Sequence, residues 1–177
     1  MRLGYSGVRW LKVFHLLFVS MWLGGAIALT LCLWMLSRHA GPDAHGVNRA
    51  MKLIDDCIVI PGALGCLATG FLYSLFTAWG FIRHYWVVVK WVVTLASISF
   101  GTFWLGPWLN GMESMTGHIG PQATNEAQYL SYLAGNSRGA LAQVAVLTFA
   151  CYISTFKPWG PSRTTRKSEY HSERMDT

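Results

Sequence analysis

The chain has 177 residues, of which 53% are hydrophobic and only 12% are charged, and its formal net charge is +6. This composition excludes an ordinary soluble domain, in which about a quarter of the residues are charged. The basic residues stand singly or in pairs, and most of them flank apolar runs. They form no basic stripe of the kind that binds nucleic acid, so anionic lipid headgroups are the simpler partner.

Four apolar runs have about the length of a transmembrane helix, which needs roughly 20 residues. They cover residues 11–36, 57–79, 86–108 and 139–156. The sequence therefore predicts an all-α fold, an integral membrane four-helix bundle in one domain over residues 1–160. The first run is too long for the apolar region of a cleaved signal peptide. Residues 161–177 are polar and have almost nothing to bury, so this tail is predicted to be disordered.

The basic residues also predict the orientation of the bundle. If both termini are cytoplasmic, nine basic residues lie inside: Arg2, Arg9, Lys12, Arg83, Lys157, Arg163, Arg166, Lys167 and Arg174. Four lie outside: Arg38, Arg49, Lys52 and Arg138. The positive-inside rule therefore favours an N-in, C-in orientation.

The first two connections between the predicted helices are short. Residues 80–85 form a short cytoplasmic loop, which makes helices two and three antiparallel neighbours. The outer segment 37–56 is predicted to turn at Gly41 and Pro42 and to carry a short interfacial helix over Val47–Asp56.

The longest predicted loop, on the outer side between helices three and four, covers Asn110–Arg138. It is rich in polar residues and contains the helix breakers Gly117, Gly120 and Pro121. Within the spans, Pro61 is expected to kink helix two. Small residues in helices one and two predict close helix contacts: Gly24, Gly25, Ala28, Gly62, Gly65, Cys66 and Thr69.

Two ionisable residues lie inside the predicted spans at a similar depth. His15 is three residues past Lys12 and Lys90 is four past Trp86, which places each roughly 5 Å inside the same boundary. An ionisable residue within a membrane is a functional candidate by default. The alternatives are a histidine bonded to a backbone carbonyl and a lysine whose amine reaches the headgroups.

Helical spacing places small and polar residues beside both candidates. One stripe of helix three comprises Lys90, Thr94, Ser97, Gly101 and Trp104, and one stripe of helix one comprises His15, Trp22 and Leu29. The helix-three stripe is typical of a cavity wall. A neutral imidazole in an apolar pocket is a good axial ligand for haem iron. Lys90 is then either the second axial ligand or the partner of a haem propionate. The predicted haem b site comprises His15, Lys90, Trp22, Thr94 and Ser97.

Other candidates are weaker. Met112, Met115 and His118 recur every three residues, and thioether and imidazole groups suit Cu(I). Methionines present by chance in a loop are the simpler explanation. Asp55 and Asp56 are predicted to cap or end helix two, with a proton or metal role as the alternative. The four cysteines lack a CxxC motif and are predicted to be small apolar core residues.

The segment Trp10–Gly25 with its His15, the pair Pro61 and Gly62, and Lys90 after Trp86 resemble the HemJ-type protoporphyrinogen oxidases. The elements in helices one and two are also similar to the membrane domain of the CopD copper-resistance family. The chain further resembles a family of short bacterial integral membrane proteins. The resemblance implies that His15 and Lys90 are associated with haem b.

The chain departs from the HemJ pattern at three places. Leu53 stands where that family has an arginine, and Gly101 stands where it has a histidine late in helix three. Residues 136–139 read Asn-Ser-Arg-Gly where that family has Asn-Glu-Ala-Pro. The resemblance therefore implies haem binding more strongly than it implies porphyrinogen oxidation.

The sequence thus favours a multi-pass protein of the bacterial inner membrane that binds haem b near its cytoplasmic side, for electron transfer or for haem sensing and handling. A HemJ-like oxidase, a CopD-like copper-handling protein and a cofactor-free accessory subunit are the alternatives. Besides the lipid bilayer, a quinone, a redox partner protein and a second copy of the chain are the partner hypotheses.

Overall fold

The computed structural model describes residues 4–38, 43–76 and 85–156, and this part of the chain is helical almost throughout and contains no strand. The α-helices are α1 (Tyr5–Arg38), α2 (Ala44–Ile54), α3 (Ile60–Phe76), α4 (Tyr85–Phe100), α5 (Gly106–Ile119) and α6 (Ala127–Phe156). Two π-helical segments, Asp55–Val59 and Gly101–Leu105, connect α2 to α3 and α4 to α5, and a 3₁₀ segment, Gly120–Asn125, precedes α6. The predicted turn at Gly41 and Pro42, the loop over residues 80–84 and the tail 161–177 lie outside the described residues.

Four continuous helices are long and apolar enough to cross a membrane: Ser6–Ser37, Ala44–Phe76, Tyr85–Asn125 and Ala127–Phe156. The prediction of an all-α, multi-pass membrane protein is confirmed to this extent. The predicted spans lie within these helices, except for residues 77–79, which are not described. Even the shortest helix has 30 residues, or about 45 Å at 1.5 Å per residue, which exceeds the hydrocarbon core of about 30 Å.

The prediction of a long polar loop over Asn110–Arg138 was wrong. Helix α5 continues to Ile119 and α6 begins at Ala127, so only a short corner separates the two helices. The predicted helix breakers interrupt the helix only at this corner. Gly120 there has φ 66° and ψ −151°, a conformation that essentially only glycine adopts.

A buried polar cluster explains why the rest of that segment is helical. The side-chain amide of Asn48 is fully buried and donates to the Met112 carbonyl oxygen, Thr116 Oγ1 and Tyr129 Oη at 3.2–3.3 Å. Polar residues that suggested a solvated loop therefore bond to one another between α2, α5 and α6, although Oδ1 of Asn48 is buried without a described partner. Helix α2 also agrees with the short helix predicted over Val47–Asp56; its interfacial position remains a prediction.

The helices surround a cleft. Helix α1 packs against α3 and α6, and α4 packs against α6, whereas α3 and α4 hardly touch each other within the described residues. The order around the bundle is therefore α3, α1, α6, α4, with the cleft between the first and the last. We call the end where α1 begins and α6 ends the lower end. At the opposite, upper end, α2 packs against α5.

Glycines allow α1 and α3 to approach closely, as their small-residue patterns predict. A Cβ atom on Gly62 would lie 2.7 Å from the backbone nitrogen of Trp22, and one on Gly65 would overlap the Phe18 ring. A Cβ atom on Gly25 would lie 2.7 Å from a methyl carbon of Val59. The predicted contacts are confirmed at these three glycines but not at Gly24, which has open space beside it.

We therefore expect Gly62→Ala to lower the thermal unfolding midpoint of the detergent-solubilised protein, because the new methyl group meets backbone atoms that cannot rotate away. The expected loss is about 1–3 kcal/mol, the usual cost of forcing extra atoms into a packed interior. Gly24→Ala is the matched control and should be neutral or slightly stabilising, since alanine favours the helix and meets no atom. Equal midpoints for the two variants would contradict this packing.

Both π segments lie next to a proline. The first ends two residues before Pro61 and the second two residues before Pro107. In each segment a backbone N–H reaches five residues back, from Ile60 to Asp55 and from Gly106 to Gly101. The irregularity expected at Pro61 thus takes the form of a π segment. Its counterpart at Pro107 was not predicted.

Candidate functional site

Two cavities occupy the cleft between α3 and α4. The lower cavity has a volume of about 410 Å³, and residues of α1, α3, α4 and α6 line it. The upper cavity has a volume of about 450 Å³ and lies between the two π segments. Both volumes fall within the range of roughly 300–1,000 Å³ that is typical of small-molecule sites.

His15 lines the lower cavity, and one hydrogen bond fixes its protonation. Its Nδ1 lies 2.8 Å from Oγ1 of Thr69, and the Thr69 hydroxyl in turn donates to the Gly65 carbonyl oxygen at 2.6 Å. Because a hydroxyl group has one proton, Thr69 accepts from His15, and Nδ1 carries the imidazole proton. Nε2 of the neutral ring is therefore left with its lone pair.

Nε2 of His15 is open to the cavity. In the described part of the chain this nitrogen has no hydrogen-bond partner, and other atoms do not cover it fully. The Tyr73 ring packs against the imidazole at a centroid distance of 6.0 Å in a T-shaped arrangement. On another side, a Cβ atom on Gly70 would lie 3.8 Å from Cε1. Glycine at this position leaves room beside the ring.

Lys90 faces the same cavity from α4. Its Nζ donates to Ser154 Oγ on α6 at 3.0 Å, which leaves two further N–H groups on the amine. Lys12 also lines the cavity and is exposed. Among the described residues that line the lower cavity there is no carboxylate. Two lysines without an acidic partner make this cavity suitable for an anionic group.

The structure divides the five residues of the predicted haem site between the two cavities. His15, Lys90 and Thr94 line the lower cavity, whereas Trp22 and Ser97 line the upper one. Helical spacing put them on common stripes, but each stripe continues past the lower cavity. Trp22 and Ser97 are seven residues beyond His15 and Lys90, or about 10 Å along the helix.

The weak copper candidates do not converge. Met112 is fully buried in the apolar core at the upper end, and Met115 packs against the same core. His118 is exposed, six residues further along α5, which places it about 120° away from Met112 around the helix. No group of three His, Cys, Asp or Glu side chains suited to a metal ion occurs in the part of the chain that the structure describes.

The sequence analysis did not assign Thr69, Gly70, Lys12 and Tyr73 to the site. Thr69 was noted only as a small packing residue and Lys12 only as an interfacial marker. One signal pointed to Thr69: it is the polar member of the small-residue face of α3, which was expected to lie against α1. Its position relative to His15 required the register between α1 and α3.

Comparison with known proteins leaves this geometry as the main guide to function. The chain matches no family model, no curated protein and no solved structure.

Proposed function

We propose that this chain is a haem b-binding membrane protein whose haem site is the lower cavity. The carrying observation is the hydrogen bond from His15 to Thr69, which places a proton on Nδ1, so that the neutral imidazole has its lone pair on Nε2. In metal sites the histidine ligand usually donates its other N–H to such a partner, which fixes the ring and raises its basicity.

The charges around the cavity support the same proposal. Haem b carries two propionates, and Lys90 and Lys12 present amines from two helices at one cavity without a competing carboxylate. Lys90 acts here as the propionate partner, held towards the cavity by Ser154. Gly70 has no side chain, so the wall of the cavity beside His15 stays open.

When bound, haem supplies a one-electron redox centre. The residues of this chain then hold the iron through His15, orient that imidazole through Thr69 and neutralise propionate charge through Lys90. We place the lower end on the cytoplasmic side of a bacterial inner membrane, because the positive-inside rule favours this orientation. Electron transfer is the function that this arrangement supports best.

A spectral titration tests the proposal. The wild-type protein, purified in detergent, should take up added haemin to one equivalent and show the oxidised and reduced spectra of a histidine-ligated b-type haem. Copper should be assayed in the same sample. A wild-type protein that remains colourless and takes up no haemin would disprove the proposal.

Thr69→Val tests the role of the hydrogen bond itself. The substitution keeps the shape of the side chain but removes the acceptor for Nδ1–H, so we expect haemin affinity to fall by about 10- to 100-fold, as for other lost partners of metal ligands. Thr94→Val is the matched control, since Thr94 lines the same cavity but makes no described contact with His15. Equal affinities for the two variants would show that Thr69 does not orient the ligand.

A further inference from the structure

The upper cavity is flanked by both π segments, and the first of them has a backbone carbonyl without its usual helical donors. The Ile60 N–H bonds to the Asp55 carbonyl, five residues back. The next residue, Pro61, has no N–H, and α-helical bonding resumes after it. The carbonyl oxygen of Asp56 therefore receives no bond from Ile60 or Pro61, the donors four and five residues on, and Asp56 lines the cavity.

The second π segment repeats this pattern on the other side. The Gly106 N–H bonds to the Gly101 carbonyl, and Pro107 follows without an N–H. The carbonyl oxygen of Thr102 receives no bond from Gly106 or Pro107, the donors four and five residues on, and Thr102 lines the cavity. At membrane depth such irregular backbone is tolerated where it lines a cavity or is buried in protein. Such bulges are frequent at functional sites.

Two buried amides from α6 add acceptor oxygens. Asn136 and Gln143 are only 5% and 8% exposed and line the same cavity. Their amide nitrogens donate to the carbonyl oxygens of Leu105 and Ser97. A carbonyl can only accept, so these bonds fix the amide orientation. The two amide oxygens have no described hydrogen-bond partner, and other atoms do not cover them fully.

A carboxylate completes the set. Lys52 pairs with both carboxylate oxygens of its neighbour Asp56, at 2.6 and 2.8 Å. Asp55 lines the cavity and is half-buried, and its carboxylate has no described hydrogen bond. The Asp55 carboxylate and the two amide oxygens are therefore acceptors without a described partner, whereas Lys52, the one cation among the described residues that line the cavity, is engaged by Asp56. Trp22 adds an indole N–H that has no described partner.

We propose that the upper cavity binds a membrane-dissolved hydroquinone, the reduced form of an isoprenoid quinone. Its two hydroxyl groups donate to the Asp55 carboxylate and to an amide oxygen, that of Asn136 or Gln143, and one of them accepts from Trp22. The ring fits a mostly apolar cavity, and the tail leaves through the cleft between α3 and α4 towards the lipid. The oxidised quinone has only acceptors and leaves most of these oxygens unpaired. The inference concerns binding of the hydroquinone, which needs no haem; only its relevance to the haem cavity below rests on the proposed function.

Binding of three matched compounds tests this inference. A short-tail hydroquinone, its oxidised quinone and its dimethyl ether are measured by equilibrium dialysis, under anaerobic conditions, on wild type and on haem-free His15→Ala protein. We expect the hydroquinone to bind at least about 10-fold more tightly than the other two, since a site that pairs a hydroxyl rejects analogues without it. Equal binding of all three, or no hydroquinone binding, overturns the inference.

Asp55→Asn identifies the site. It exchanges an acceptor oxygen for an N–H donor, so the preference for the hydroquinone should fall several-fold as the quinone binds better. Glu113→Gln is the matched control on α5, outside the cavity, and should keep the wild-type preference. An unchanged preference in Asp55→Asn contradicts the assignment. Binding of an alkylammonium ion by protein that does not bind the hydroquinone also contradicts the assignment, because it identifies a cation site. Normal haemin uptake without hydroquinone binding rejects this inference alone.

Discussion

Replacing His15 by alanine is expected to abolish the b-type spectrum of the purified protein and to reduce haemin affinity by more than about 100-fold. This loss exceeds the one expected when only a residue that orients the metal ligand is replaced. Nε2 of His15 is the only imidazole nitrogen that the described residues present to the lower cavity. Its loss removes the bond to iron. The measurement is the same haemin titration, followed by the reduced-minus-oxidised difference spectrum.

Two further variants separate a ligand from a structural histidine. His118→Ala removes an exposed histidine from α5 and should leave the spectrum unchanged. His15→Gly leaves a gap for exogenous imidazole, which should restore the spectrum if His15 is the ligand. A His15→Ala protein that keeps its haem spectrum would disprove the ligand assignment. A His15→Gly protein that folds but is not rescued by imidazole would count against it.

Replacing Lys90 by methionine is expected to lower haemin affinity by about 10- to 100-fold, which corresponds to the roughly 1.5–3 kcal/mol of a hydrogen bond to a charged group. Methionine keeps most of the apolar stem but removes the amine that lies 3.0 Å from Ser154. Lys90→Arg keeps a cation and should retain more of the affinity than methionine. The haemin titration on both variants provides the measurement.

Esterified haem distinguishes the two roles of Lys90. With both propionates converted to methyl esters, wild type and Lys90→Met should bind equally, because there is no anion left for the amine to pair with. If Lys90 is instead the second axial ligand, the methionine variant should lose affinity for the ester as well, and its spectrum should change. That result would contradict the propionate assignment.

The polar corner of the fold shows where sequence reasoning failed. Between Asn110 and Arg138, polar composition and three breaker residues suggested a loop. The cluster around Asn48 shows that these polar groups bond to one another across α2, α5 and α6. Composition measures polarity, but only packing decides whether a polar group meets water or another side chain.

The depth of His15 and Lys90 was more predictable than their surroundings. A helix rises 1.5 Å per residue, so distance from the interface follows directly from the sequence, and the structure places both residues at one cavity. The direction in which a stripe faces depends on neighbouring helices. For that reason Trp22 and Ser97, which were predicted beside His15 and Lys90, line the upper cavity, and the π segment at Pro107 was not expected.

The sequence by itself determined that residues 4–38, 43–76 and 85–156 are helical almost throughout and contain four helices long and apolar enough to cross a membrane, because runs of apolar residues in lipid must satisfy their backbone internally. It also determined that His15 and Lys90 lie within those helices. Only the tertiary structure decided that Thr69 fixes the tautomer of His15, that Lys90 reaches the same cavity and that a second, acceptor-lined cavity lies above it. Each of these depends on the register between helices distant in sequence, which glycine contacts such as Gly62 against Trp22 set through packing.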